Sequence, residues 1–182
     1  MRSIKVNHKP LQAFACATGL LLALAGCGEN EPLTVGGEPQ LRRLTEQQYR
    51  NTIRDIFGNN IIISGRFDPL ERIDGLLAIG ASSAAITPAA LERYEALGRS
   101  IALQVVNNAN RTVLVPCEPV SASASDATCA TDFFTGAGRF LFRRPLTEAE
   151  KSLYVKIGGE AADTLEDFYA GLAYGLTGML VS

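Results

Sequence analysis

The chain has no tryptophan and a single histidine, His8. Four cysteines are spread over 182 residues, and no apolar run is long enough for a comfortable membrane-spanning helix, which needs roughly 20 residues. Each scarcity excludes some chemistry. His8 lies in an N-terminal leader, so the exported part contains no imidazole. Histidine-dependent zinc sites, serine–histidine catalysis and the usual axial ligation of haem are therefore ruled out for this chain. The C-x-x-C-H motif of covalent haem attachment is absent as well. The missing tryptophan argues against a carbohydrate-binding module that stacks sugars on aromatic rings. No glycine-rich phosphate loop and no repeat of fixed period is present. The formal net charge is −2, and removing the three leader bases Arg2, Lys5 and Lys9 leaves −5. That balance opposes nucleic acid as a partner and supplies no polybasic patch for anionic lipid.

What is present begins with the leader. Ten basic and polar residues precede an apolar run from Leu11 to Leu24, a length suited to a signal-peptide core. The run ends in Leu24-Ala25-Gly26-Cys27, which resembles the lipobox of bacterial lipoproteins. That resemblance implies cleavage after residue 26, lipidation of Cys27 and attachment to a membrane, because two or more acyl chains anchor stably. Gly28 follows the cysteine. By resemblance to enteric lipoproteins, a residue other than aspartate there implies the outer rather than the inner membrane. Residues 28–40 are rich in Gly, Pro and Glu without apolar period and read as a flexible tether. The expected organisation is a signal peptide over 1–26, a lipidated cysteine and tether over 27–40, and one folded domain over 41–182.

The domain reads as all-α, an irregular or orthogonal bundle of about five helices. Thr45 and Gln48 have capping-box spacing, and Tyr49, Ile53, Ile56 and Phe57 fall on one helical face that Gly58 ends. Ile61 to Ile63 is a short strand or a buried extended segment. Thr87-Pro88 starts a second helix with the stripe Leu91, Tyr94, Leu97, Ile101 and Val105, ending near 107–110. Residues 116–128 are a polar loop. The next helix carries Phe133, Phe134, Ala137, Phe140 and Leu141. Thr147 and Glu150 form a second capping box, with Leu153, Tyr154 and Ile157 facing inward and Gly158-Gly159 as terminator. Asp163 or Thr164 opens the last helix, with Leu165, Phe168, Leu172, Leu176 and Met179 as its stripe. Gly171, Gly175 and Gly178 weaken that helix, each costing up to about 1 kcal/mol against alanine. No capping glycine or polar tail follows Leu180. These features predict an incomplete domain whose last helix leaves part of its apolar stripe open to solvent.

The candidate sites are few. Cys16 lies in the leader, and Cys117 and Cys129 bracket the polar loop. In an oxidising compartment they read as a structural disulfide, ahead of metal ligation or redox work. Asp68, Glu71 and Asp74 recur every third residue; calcium is the sharper reading, and a solvated, salt-bridged turn is the favoured one. Ser121, Ser123 and Ser125 have no base to activate them. Glu46, Glu92, Glu148 and Glu166 suit helix first turns and solvent faces, although a carboxylate pair for glycoside chemistry is a matter of spatial separation. The pairs Arg42-Arg43 and Arg143-Arg144 read as structural ion pairs or, more sharply, anion sites. No catalytic, cofactor-binding or metal-binding residue is assigned, and no cofactor is expected.

Three stretches together, LRRLTEQQYRNTIRDIFG (41–58), ERIDGLLAIGASSAAITPAALERYEALG (71–98) and FLFRRPLTEAE (140–150), are similar to helical domains of unknown function in planctomycete and myxobacterial secreted proteins. Such modules occur with cytochrome c-like modules in one architecture. Family members continue well past the helix that ends here at Ser182. The resemblance implies a cell-envelope setting near electron transfer or carbohydrate breakdown, and it carries no catalytic residue. Two functions follow as expectations. One is a lipid-anchored docking module with a protein partner. The other is the N-terminal part of a larger redox or carbohydrate-degrading envelope protein whose active residues lie beyond residue 182.

Overall fold

A computed structural model describes residues 42–67, 69–70, 74–76 and 86–182. These residues are all-helical: α1 (Glu46–Phe57), α2 (Pro88–Val105), the single turn α3 (Arg111–Leu114), α4 (Ala127–Leu141), α5 (Glu148–Leu165) and α6 (Phe168–Leu180). The leader, Cys27 and the tether lie outside the described residues.

Local chemistry sets the helix starts. Thr45 closes a reciprocal capping box on α1, its Oγ1 accepting from the Gln48 N–H at 3.2 Å while its own N–H donates to Gln48 Oε1 at 2.9 Å. Gly58 ends the helix at φ 88°, a left-sided conformation that glycine adopts without steric cost. Thr87 caps α2 with Pro88 in the first turn. Thr147 and Glu150 repeat the box on α5. Ile61 to Ile63 is an extended segment rather than a strand. Gln104 of α2 accepts the Ile62 N–H at 2.8 Å and donates to the Ile62 carbonyl at 2.9 Å, as a neighbouring strand would. Of these three isoleucines only Ile61 is buried.

The core is built around α6. Residues 154 and 178, 158 and 171, and 162 and 171 of α5 and α6 meet, so the two helices run antiparallel. Phe134 of α4 lies beside Gly175, and Gly138 beside Met179, so α4 runs parallel to α6. Gly98 of α2 packs under Leu180. Phe134, Phe168, Leu172 and Leu176 are sealed at the centre.

This arrangement overturns several expectations. Gly158-Gly159 does not terminate α5; the helix runs on to Leu165. A Cβ on Gly171 would stand 2.3 Å from the Gly158 carbonyl oxygen and 2.6 Å from the Ala162 Cβ. The glycines are therefore the contact that lets two backbones approach, and the helix tolerates their cost because packing repays it. α6 opens later than Asp163 or Thr164. Glu166 turns the chain at φ 52°, and Asp167 caps α6 by accepting the N–H groups of Tyr169 and Ala170. Leu165 is exposed rather than part of the final stripe. The expectation of an open final stripe also fails. Leu172, Leu176 and Met179 are 1%, 0% and 3% exposed, and Leu180 is half-buried against α2. α2 ends at Val105, where Asn107 Oδ1 accepts the N–H groups of Ala109 and Asn110. Phe140 and Leu153, expected inside, are 63% and 52% exposed.

Candidate functional site

The cysteine pair behaves as expected. Cys117 and Cys129 are bridged, with Cα atoms 5.5 Å apart. The bridge closes the serine-rich loop onto the start of α4. Asp126 caps that helix through Oδ1, which accepts from Thr128 and Cys129 N–H at 3.0 Å each, while Oδ2 accepts from the Val120 N–H. Those backbone donors hold the Asp126 carboxyl below the usual carboxylate range. Ser125 leaves the loop's serine series to meet α5, its N–H and Oγ–H donating to Asp163 at 2.8 and 3.1 Å. Ser121 and Ser123 bond to each other within the loop.

Arg144 is a structural partner. Its two terminal nitrogens clasp Glu150 at 2.8 and 2.6 Å, and its guanidinium lies 5.5 Å from the Phe142 ring centre. Glu150 also accepts from the Thr147 N–H and hydroxyl. The Arg144 hydrogen bonds come first, the Thr147 bonds second, in holding its carboxyl at about 2. Arg143 takes a left-handed conformation at φ 55°. Of the acidic triplet, Asp68 and Glu71 lie outside the described residues and Asp74 is exposed at φ 51°. Among the described residues no three acidic, cysteine or histidine side chains come together, and no helix is long and apolar enough to cross a membrane.

The other arginine pair stands apart from these structural partners. Arg42 and Arg43 border a groove of about 530 Å³ between the start of α1, the segment around Phe67, the start of α2 and the end of α6. Its wall is an aromatic row. Tyr49 meets Phe67 edge-on at 5.4 Å between ring centres, and Phe67 meets Tyr94 at 6.2 Å. Arg50 lies over Phe67 at 5.1 Å, held by Glu46 and by the Ile63 carbonyl oxygen at 2.7 Å. Leu44, Ile86 and Leu91 complete the apolar lining. The Arg43 Nη2 donates to the Pro69 carbonyl at 3.1 Å. Its Nε is buried without a hydrogen-bond partner, an arrangement that costs free energy. Burial, with a smaller contribution from Tyr94, pushes the Tyr49 phenol up to about 12. Sequence reasoning names Arg42, Arg43, Tyr49, Leu91 and Tyr94 but does not bring them together, since they sit on three separate segments. Leu91 belongs to the α2 stripe, yet it is half-exposed because it faces this groove.

Residues 42–107 match the model of a family described as PSD3, a protein of unknown function (DUF1587). The matched stretch carries α1, the Phe67 segment and α2, hence most of the groove. It does not include the FRRPLT block at 142–147. No curated protein and no solved structure matches the chain significantly.

Proposed function

We propose that this chain is a lipid-anchored protein of the bacterial cell envelope whose helical domain is a docking module rather than a catalyst. The Leu24-Ala25-Gly26-Cys27 tetrapeptide closing a basic-then-apolar leader carries the anchor. The bridged Cys117–Cys129 pair supports an oxidising compartment, where such bonds persist. The groove beside Arg42 and Arg43 supports docking. The likeness to secreted helical domains that accompany cytochrome c-like modules supports an envelope partner, and Gly28 favours the outer membrane. On this reading the tether lets the domain stand roughly 20 Å off the bilayer.

The test is Cys27→Ala in cells. The native chain is expected in the membrane fraction at a mass raised by its acyl chains. The variant is expected to leave that fraction or to keep its leader. Unchanged partition and unchanged mass would reject the anchor.

A further inference from the structure

We propose that the groove between α1, α2 and the end of α6 binds a single-chain carboxylate amphiphile, its head on Arg42 and Arg43 and its hydrocarbon chain along Phe67, Leu91 and Leu180. The proposal stands independently of lipidation at Cys27. Three observations carry it.

The first is capacity. A volume of about 530 Å³ lies within the roughly 300–1,000 Å³ typical of small-molecule sites. The second is the division of its lining. Among the described residues, the hydrocarbon and aromatic lining comes from α1, α2, α6 and the Phe67 segment, whereas the formal positive charge comes from two adjacent residues where the chain enters α1. A ligand charged at one end and apolar along its length matches that division. The third is the state of Arg43. One hydrogen bond, from Nη2 to the Pro69 carbonyl, holds its guanidinium, and its Nε, sealed from solvent in the empty groove, gains an acceptor when the guanidinium turns toward a bound carboxylate. A carboxylate oxygen is the acceptor that a guanidinium edge recognises best. A phosphate head would use the same guanidinium edge, so a matching alkyl phosphate that saturates the groove as well as the acid would overturn the carboxylate assignment. Arg42 is exposed and adds a second charge at the mouth of the groove.

The experiment uses the purified full chain at one fixed detergent concentration. A diazirine-bearing twelve-carbon carboxylic acid is photoactivated with it and labelled residues are mapped by mass spectrometry. The matching diazirine alcohol is run in parallel. The acid is expected to label groove residues saturably, with dodecanoate competing, and the alcohol to label them at least tenfold less. Arg43→Gln should raise the half-saturating concentration about tenfold or more, the usual scale of a lost charge-assisted hydrogen bond. Arg42→Gln, at an exposed position, should raise it by a smaller factor and serves where Arg43→Gln disturbs folding. Thermal unfolding of each variant distinguishes lost binding from lost structure. Equal labelling by acid and alcohol would overturn the proposal. So would labelling outside the groove only, or saturation unaltered in both arginine variants. An unidentified protein crosslinked at the groove in place of the probe would also overturn it, in favour of a protein partner.

Discussion

The two ends of α6 sit in different kinds of surroundings. Toward its start, α4 and α5 close on it so tightly that Gly171 and Gly175 have no room for a Cβ; at Gly175 the Phe134 ring would be 2.3 Å away. Toward its end, Leu180, Val181 and Ser182 face an open groove walled by aromatics that touch edge to edge and leave about 530 Å³ between them. The first region spends its side chains on being a solid. The second keeps apolar surface and a buried guanidinium nitrogen without the partners that would seal them. A fold with one close-packed half can carry an unsealed half, because the solid part supplies the stability that the groove forgoes.

Four changes would break or sharpen that contrast. Phe134→Ala should have the largest effect, about 3–5 kcal/mol of lost stability, because the ring is wholly buried among α5 and α6. Phe67→Ala, on the half-buried groove wall, should cost well under that. Denaturant unfolding of both variants measures the difference, and equal losses would erase the contrast. Next, removing the Cys117–Cys129 bridge by paired alanine substitutions should cost about 3 kcal/mol in the chain-entropy picture, since the bond closes a loop between residues twelve apart. The same unfolding measurement checks it, and occupancy of the groove should be unchanged.

The smallest effect concerns Glu150. Its carboxyl is held at about 2, below its ordinary 4.5, by Arg144 first and then by Thr147. A depressed carboxyl stabilises the fold above its unfolded value and loses that contribution as pH falls through the folded one. The stability gap between the native chain and Glu150→Gln should therefore be full above about 4.5 and close toward 2. Unfolding midpoints measured across that window give the answer, and a gap independent of pH would remove the ion pair from the account.

Much of the helical frame is legible in the residues alone. Both capping boxes and the Thr87-Pro88 start are decided within four residues, and such local chemistry survives any tertiary setting. The disulfide is legible too, because only Cys117 and Cys129 lie beyond residue 41. Gly158-Gly159 is misread for the opposite reason. A helical glycine pair reads as a stop until the Gly171 backbone, thirteen residues further on, is seen pressed against it. Phe140 and Leu153 follow the apolar period yet face outward, so period alone does not say how wide the buried face is. The groove is the hardest feature to foresee. Arg42-Arg43 and Arg143-Arg144 look alike as dipeptides, and what separates them is Glu150 beside one pair and an aromatic row beside the other.

The serine-rich loop has a consequence of its own. Its composition is that of a spacer, but it is stitched to its surroundings at several points. The bridge holds it at Cys117, Asp163 holds Ser125, and the Ala122 carbonyl accepts the N–H of Phe168, the first residue of α6. The loop is thus a buckle on the most buried helix of the domain. Opening that buckle by reduction would slacken the entry to α6 from outside, with Cys129 the core side chain that changes. A chain kept in reducing surroundings would hold its centre less firmly than one in oxidising surroundings, so firmness itself would record the redox state around it.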